Sequence, residues 1–143
     1  MYRVIYASRA TAEMSDIELE GLLVEARMRN ELEDLTGLLL YFGPDLADAP
    51  SFLQVLEGER EAVETVYELI ARDRRHRDVR LVAAGDVEER MFPDWRMGLE
   101  YVTYDDLARA VPGLGTPDRP LVVMAELVTD PVRAEQLLVT ATY

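Results

Sequence analysis

Five short apolar segments of strand character alternate with two helical segments between residues 2 and 102. The strand segments are 2–8, 35–42, 52–56, 79–84 and 97–102. The helical segments are 15–30, which opens with the capping box of Ser15 and Glu18, and 59–73. The resulting order, β-α-β-β-α-β-β, predicts an α+β fold: a ferredoxin-like sandwich with both helices on one sheet.

A less regular tail follows this pattern. Two short helices are expected in it, at 121–128 and 131–139, and Asp130 is suited to cap the second. We therefore divide the chain into a main domain, 1–103, and a C-terminal helical cap, 104–143. The apolar residues of the cap must be buried, either on the far face of the sheet or against a second subunit.

The charge and the rare residue types exclude several classes of function. The formal net charge is −13, which disfavours direct binding to nucleic acid or to anionic membranes. The chain has no cysteine and no lysine, and His76 is its single histidine. These absences exclude thiolate and multi-histidine metal sites, a lysine-containing phosphate loop and Schiff-base chemistry. With no signal-peptide pattern and no apolar run long enough to span a membrane, we expect a cytoplasmic protein.

A polar amide, Gln54, interrupts the otherwise apolar strand segment Phe-Leu-Gln-Val-Leu. Strand alternation puts Phe52, Gln54 and Leu56 on one face, and it puts Val4 and Tyr6 on one face of the first strand. A buried amide needs hydrogen-bond partners. A tyrosine hydroxyl and the polar edge of a flat ligand would supply them.

The other candidate residues also have purely structural interpretations. Tyr6 can be an ordinary core tyrosine, and Asn30 can be a helix C-cap. Trp95 and Met97 can be packing residues. The charged cluster 73–76 can be a solvated helix end, where cations are favourable.

Six short motifs nevertheless follow one another in a specific order, and they include the only asparagine and the only tryptophan of the chain. They are 4–9 around Tyr6, Asn30 at the end of the first helix, 35–39, 52–58, 73–76 and 90–97. This set resembles a BLUF domain, a flavin-binding blue-light sensor, over about residues 1 to 103.

The resemblance implies a bound flavin, FAD or FMN, in an apolar slot between the two helices. The residues that it assigns to flavin binding are Tyr6, Ser8, Arg29, Asn30, Phe52, Gln54, Ile70, Asp73, Arg75 and His76. There are three departures from the family pattern, of which the replacement of the commoner isoleucine by Leu35 is harmless. Arg29 stands where family members often carry His or Asn, and the loop 43–51 is longer than usual.

The resemblance also implies a photochemical mechanism. Tyr6 gives an electron and its phenolic proton to the excited flavin, and both later return. Gln54 bridges the two groups and changes its hydrogen bond to the flavin by rotation or tautomerisation. Trp95 and Met97 compete for the position near the glutamine, and the signal leaves through the fifth strand and the C-terminal helices.

The function implied is therefore a stand-alone blue-light photoreceptor that signals through an unidentified protein partner, without enzyme activity and as a homo-oligomer. Two alternatives remain open. One is a small enzyme on the same fold, such as a phosphatase or a monooxygenase, although a second histidine, a lysine and a glycine-rich phosphate loop are missing. The other is a flavin-free regulatory or interaction module, which a colourless purified protein would indicate.

Overall fold

The computed structural model describes residues 1–12, 14–43, 50–103, 105–106, 109 and 130–140. The elements in chain order are β1 (Tyr2–Ala10), α1 (Asp16–Glu33), β2 (Thr36–Phe42), β3 (Ser51–Gly58), α2 (Arg60–Arg72), β4 (His76–Asp86), β5 (Gly98–Tyr101) and α3 (Pro131–Thr140). The strands form one sheet in the order β4-β1-β3-β2-β5. Strand β5 runs parallel to β2, and the other neighbouring strands are antiparallel. The predicted α+β, ferredoxin-like fold is confirmed.

The sheet separates two apolar cores. One core lies beneath α1 and α2 and includes residues of alternate strand positions, among them Tyr6, Leu39 and Phe52. The intervening positions, such as Ile5 and Leu53, point to the opposite face. Because β1, β2 and β3 are buried along almost their whole length, both faces of the central sheet are covered.

The far face of the sheet is covered by α3. Its residues Ala134, Leu137 and Leu138 are buried in the same cluster as the far-face side chains of the sheet. The helix begins after Asp130, whose side chain accepts a hydrogen bond from the Arg133 N–H at 3.2 Å, so the predicted cap is confirmed. The helix expected at 121–128 lies outside the described residues, and the division of the chain at residue 103 stays a prediction.

Several element boundaries differ from the sequence prediction, and two of the differences concern predicted site residues. Helix α1 continues past Asn30 and ends at Glu33. It ends there because the next residue, Asp34, adopts the left-handed conformation (φ 54°) that terminates a helix. Asn30 is therefore a buried residue of the last turns and not the cap. The cluster 73–76 does not belong to α2: the helix ends at Arg72, and β4 already begins at His76. The Asp73 side chain accepts a hydrogen bond from the backbone N–H two residues on, which stabilises a turn instead.

One glycine is required by the packing of the sheet. A Cβ atom at Gly37 would overlap the carbonyl oxygen of Val55 on β3 and crowd the end of the Met97 side chain. The Gly37 N–H also donates to the Trp95 carbonyl at 3.0 Å. Glycine thus lets β2 approach both β3 and the segment that leads into β5.

Candidate functional site

Tyr6 and Gln54 face each other from neighbouring strands. They are register partners in the β1–β3 ladder, and both side chains lie on the helix face. The Tyr6 hydroxyl donates a hydrogen bond to Gln54 Oε1. Tyr6 is 0% exposed and Gln54 is 4% exposed. Burial raises the pKa of the Tyr6 phenol far above its usual value, although the positive charge of Arg29 opposes this shift. The phenol is therefore neutral at physiological pH.

The other end of the Gln54 amide meets Met97. Gln54 Nε2 lies 3.4 Å from Met97 Sδ, and the Met97 side chain is 1% exposed. A thioether is a weak acceptor without a proton to donate, so it holds the amide nitrogen loosely. Trp95 instead stacks on Phe92, with ring centroids 5.6 Å apart, and is 37% exposed. Of the two residues expected near the glutamine, the structure brings Met97 to Gln54 and places Trp95 at the surface.

A narrow slot between α1 and α2 opens onto Gln54. Its lining combines apolar and polar side chains: Leu22, Glu25, Ala26, Arg29, Leu39, Gln54, Ile70, Asp73, Arg75 and His76. Four of these ten side chains are apolar and six are polar or charged, a combination that suits a flat, mostly apolar ring with a polar edge and a charged substituent.

Two buried polar atoms of α1 have no hydrogen-bond partner among the described residues: Arg29 Nε, on a residue that lines the slot, and Asn30 Oδ1, on the next residue, which is not part of the lining. The Asn30 amide nitrogen already donates to the Arg96 carbonyl at 2.5 Å, so its oxygen is the atom left for a ligand. The site therefore offers one acceptor and one donor side by side in sequence. The pyrimidine ring of a flavin has the complementary groups, a ring N–H between two carbonyl oxygens. The unpartnered acceptor of Asn30 and the unpartnered donor of Arg29 therefore fit a flavin.

Charged side chains meet where α2 ends, at the mouth of the slot. Arg75 Nη2 lies 2.6 Å from Asp73 Oδ2 and 2.9 Å from Glu25 Oε2, so it joins this segment to α1. The hydrogen bonds from Arg75 lower the pKa of Asp73 to about 2. A guanidinium in this position is a group that can bind a phosphate.

His76 is held by two of the other predicted site residues. Its Nδ1 lies 2.9 Å from Ser8 Oγ, and its ring packs against that of Phe52 with centroids 5.0 Å apart. Burial lowers the pKa of His76, so the imidazole is mostly neutral near pH 7. Ser8 and Phe52 contact His76, which lines the slot, but they are not part of the lining themselves.

Glu57 is a supporting residue that the sequence analysis missed. Its fully buried carboxylate accepts hydrogen bonds from the backbone N–H groups of Met91, at 2.8 Å, and Phe92, at 2.6 Å. Arg3 Nε donates to it at 3.3 Å. Glu57 thereby fixes the loop that leads to Met97. The available signal was a carboxylate inside a strand that is otherwise apolar.

Helix α1 holds the backbone on both sides of the Met97 nitrogen. Arg27 Nε donates to the Met97 carbonyl at 3.0 Å, and Asn30 Nδ2 donates to the Arg96 carbonyl. The sequence gives no signal for Arg27, because an arginine on the polar side of a helix ordinarily points to water.

Tyr67 is a further residue without a predicted role that the structure brings to the site. It lies on α2, and its ring stacks on that of Tyr6, with centroids 5.3 Å apart and planes inclined by 10°. Helical spacing in the sequence places Tyr67 in one apolar stripe of α2 with Val63, Val66 and Ile70, but this spacing does not reveal which ring Tyr67 contacts.

The fold and the slot define a class of protein: a small ferredoxin-like α+β domain with a pocket for a flat heterocycle and a buried tyrosine–glutamine pair beside it. The chain belongs to the BLUF family, because the family model described as "Sensors of blue-light using FAD" matches residues 1–98. Its cofactor is a flavin, and it is a blue-light photoreceptor.

Curated relatives agree with this assignment. The chain is 36% identical over 93 residues to "Photoactivated adenylate cyclase subunit beta" of Euglena gracilis, which covers 64% of the chain and 10% of that protein. It is 33% identical over 76 residues to "Blue light- and temperature-regulated antirepressor BluF" of Escherichia coli (strain K12), covering 53% of the chain and 17% of that protein. The chain thus matches only a small part of these longer relatives.

Solved structures of similar size match almost end to end. The photo-activated state of BlsA superposes with a TM-score of 0.77 at 26% identity, over 98% of this chain and 93% of that one. The dark state of BlrB, a BLUF protein, gives a TM-score of 0.66 at 27% identity, over 94% and 95%.

Within the described ranges, none of the helices is long and apolar enough to cross a bilayer. The same residues contain no group of three or more His, Cys, Asp or Glu side chains that could hold a metal ion.

Proposed function

We propose that Tyr6, Gln54 and Met97 form the light switch of this photoreceptor. The observation that carries the proposal is the continuous path of contacts from the Tyr6 hydroxyl, through both ends of the Gln54 amide, to the Met97 sulfur. A flavin excited by blue light supplies the oxidant that takes one electron from a nearby phenol.

The flavin, FAD or FMN, is held by residues of α1, α2 and the sheet. Asn30 Oδ1 and Arg29 Nε are the groups we assign to its polar edge, since both are buried without a partner among the described residues. Leu39 and Ile70 supply apolar walls, and Arg75 is the cation we assign to its phosphate.

Tyr6 releases an electron and its hydroxyl proton in a coupled way. Its burial makes a charged phenol costly, so the positive charge left by the electron must be relieved by loss of the hydroxyl proton. The hydrogen bond to Gln54 Oε1 gives this proton a direct path. When the electron and the proton return, Tyr6 is again a neutral phenol.

Gln54 stores the signal as a changed hydrogen-bond pattern. Rotation or tautomerisation exchanges the donor and acceptor ends of its amide. After rotation the amide oxygen would take the place of the nitrogen that now lies 3.4 Å from the Met97 sulfur, and two acceptors would then face each other without a proton between them. Met97 must therefore shift when Gln54 switches.

The output follows from the position of Met97 directly before β5. That strand has four residues and pairs with β2 along one side, so moving it breaks few hydrogen bonds. Val102, at its far end, is buried in the same cluster as Leu137 and Leu138 of α3. We assign the path from Met97 through β5 to α3 as the output route.

A protein contact is the output that the surface supports. The outward side of α1 carries Ile17, Val24, Met28 and Leu32, which are 51% to 85% exposed. We propose that the chain acts through such contacts as a homo-oligomer and has no enzyme activity of its own. The cyclase activity in the names of its relatives belongs to those longer proteins.

An absorption spectrum of the purified protein before and after blue illumination tests the switch. A yellow protein whose flavin bands shift slightly to the red and then recover in the dark is expected. Flavin bands that do not move would refute the proposed switch, and a colourless protein that takes up no added flavin would refute the assignment of the slot.

A further inference from the structure

The stacked pair of Tyr6 and Tyr67 is a feature that the switch does not yet use. The Tyr6 ring is fully buried, and the ring of Tyr67 covers one of its faces from α2. Tyr67 itself is half-buried, and desolvation raises the pKa of its phenol, so it too is neutral. The two rings are close to parallel, and a centroid distance of 5.3 Å fits offset stacking.

The electrostatics around Tyr6 are unfavourable for losing an electron. The positive charge of Arg29 works against the larger effect of burial, which raises the pKa of the Tyr6 phenol, so Arg29 favours negative and opposes positive charge on this side chain. Burial removes the water that would otherwise stabilise a transient positive charge. Asp73 is the acidic group that acts on Tyr6 in the opposite direction, but Arg75 neutralises it.

The aromatic face of Tyr67 is a group that can stabilise such a charge. The π-face of a phenol is electron-rich and attracts cations within about 6 Å of the ring centroid. Tyr67 presents this face to the Tyr6 ring itself, where the positive charge would develop. The interaction is stronger in the charged state than in the resting pair, so it lowers the barrier.

We propose that Tyr67 accelerates the oxidation of Tyr6 by stabilising the transient positive charge on the stacked ring. The inference rests on the proposed function of Tyr6. The electron passes from Tyr6 to the excited flavin, the hydroxyl proton of Tyr6 would pass through Gln54 to the same flavin, and both return to Tyr6 afterwards. Tyr67 gains and loses neither an electron nor a proton.

The test compares Tyr67→Phe with Tyr67→Leu in the flavin-loaded protein. The readout is the excited-state lifetime of the flavin, measured by time-resolved fluorescence, because electron transfer from Tyr6 shortens it. Phenylalanine keeps the π-face and should leave electron transfer within about a factor of two of the wild-type rate. Leucine removes the face and should slow electron transfer by about threefold. Should the leucine variant lose its flavin, Tyr67→Met takes its place, since it fills the same space without a ring.

Two controls separate the stacking from other effects. Tyr2→Leu replaces another buried tyrosine of β1, whose ring lies under Arg60 and not on Tyr6, and it should leave the lifetime unchanged. In a Tyr6→Phe background, Tyr67→Leu should have no further effect. A further lengthening there would mean that Tyr67 itself donates the electron, and this would overturn the proposal.

A measurement on the flavin-loaded protein in the dark tests whether Tyr67 merely holds Tyr6 in place. The slowly exchanging hydroxyl proton of Tyr6, hydrogen-bonded to Gln54, should give a downfield NMR signal that Tyr67→Leu preserves. Loss of this signal in Tyr67→Leu would mean that Tyr67 positions Tyr6 and does not stabilise its charge, and this would overturn the inference. Equal flavin lifetimes in the wild type and in Tyr67→Leu would also overturn it. A wild-type lifetime in Tyr6→Phe alone would instead refute the proposed function.

Discussion

The side-chain nitrogen of Gln54 lies 3.4 Å from the sulfur of Met97, while the amide oxygen accepts a hydrogen bond from Tyr6. One amide thus connects the photochemical residue with the segment that enters β5. The two ends are held unequally, because a phenol is a strong donor and a thioether is a weak acceptor. This asymmetry defines a single resting orientation of Gln54 and makes Met97 the residue that responds when that orientation changes.

Gln54→Leu should abolish the light-induced spectral shift while flavin remains bound. Leucine fills a similar volume but cannot exchange a donor for an acceptor, so no altered hydrogen bond survives illumination. Difference absorption spectra provide the measurement. Gln136→Leu, at the exposed second glutamine on α3, is the matched control and should shift normally. A normal shift in Gln54→Leu would remove the switch mechanism.

Met97→Leu should retain the spectral shift but slow its recovery in the dark. The substitution removes the weak contact that favours the resting amide and also removes the repulsion in the rotated state. We expect recovery about threefold slower, the rate equivalent of about 0.7 kcal/mol. The rate is read from the decay of the shift, with Met28→Leu on the exposed side of α1 as control. An unchanged recovery rate in Met97→Leu would mean that the sulfur does not influence Gln54.

Glu57→Gln should lower the free energy of unfolding by about 2 kcal/mol. The two backbone N–H groups of Met91 and Phe92 need both carboxylate oxygens, and the amide NH₂ of glutamine would oppose one of them with a donor. Urea unfolding of the flavin-free chain measures the loss. Glu61→Gln, at an exposed position in the first turn of α2, should change the stability by less than about 0.5 kcal/mol. A loss no larger for Glu57 than for Glu61 would contradict the anchoring role.

His76 should make the flavin-free chain less stable as the pH falls below 6.5. Its pKa is lowered by burial in the folded state from 6.5, so the unfolded chain binds the proton first. The stability is therefore complete above pH 6.5 and declines below it, by at most about 1.4 kcal/mol per pH unit for one proton. Unfolding experiments between pH 7.5 and about 5.5, above the carboxylate range, measure the slope. His76→Gln should remove most of it, and an equal slope in both proteins would show that His76 is not responsible.

Much of the fold could be predicted because each element has a periodic signature. The alternation of Phe52, Gln54 and Leu56 gave the correct face of β3, and the stripe of α2 gave its buried side. The ends of elements were harder to predict, since they depend on single residues. Helix α1 ends just before Asp34 and not at Asn30, because Asp34 is the residue that adopts the left-handed conformation. A backbone conformation of this kind leaves no periodic trace.

The site could be predicted only in part, for a related reason. Tyr6 and Gln54 lie on regular strands, so their meeting follows from the strand order. Trp95 and Met97 lie in the irregular segment before β5, where strand alternation does not apply, and the sequence left the choice between them open. The hydrogen bonds of Glu57 come from a loop more than thirty residues away, a distance in sequence that no local pattern spans.

The central sheet is one backbone layer thick, with the flavin slot on one side and α3 on the other. Successive side chains of the same strand therefore face opposite sides of the sheet: one set contacts the flavin slot and the other contacts the C-terminal segment. An engineer could graft a different C-terminal segment onto the far side and leave every residue that lines the slot untouched. Such modularity makes this small domain a suitable input unit for artificial light-controlled proteins.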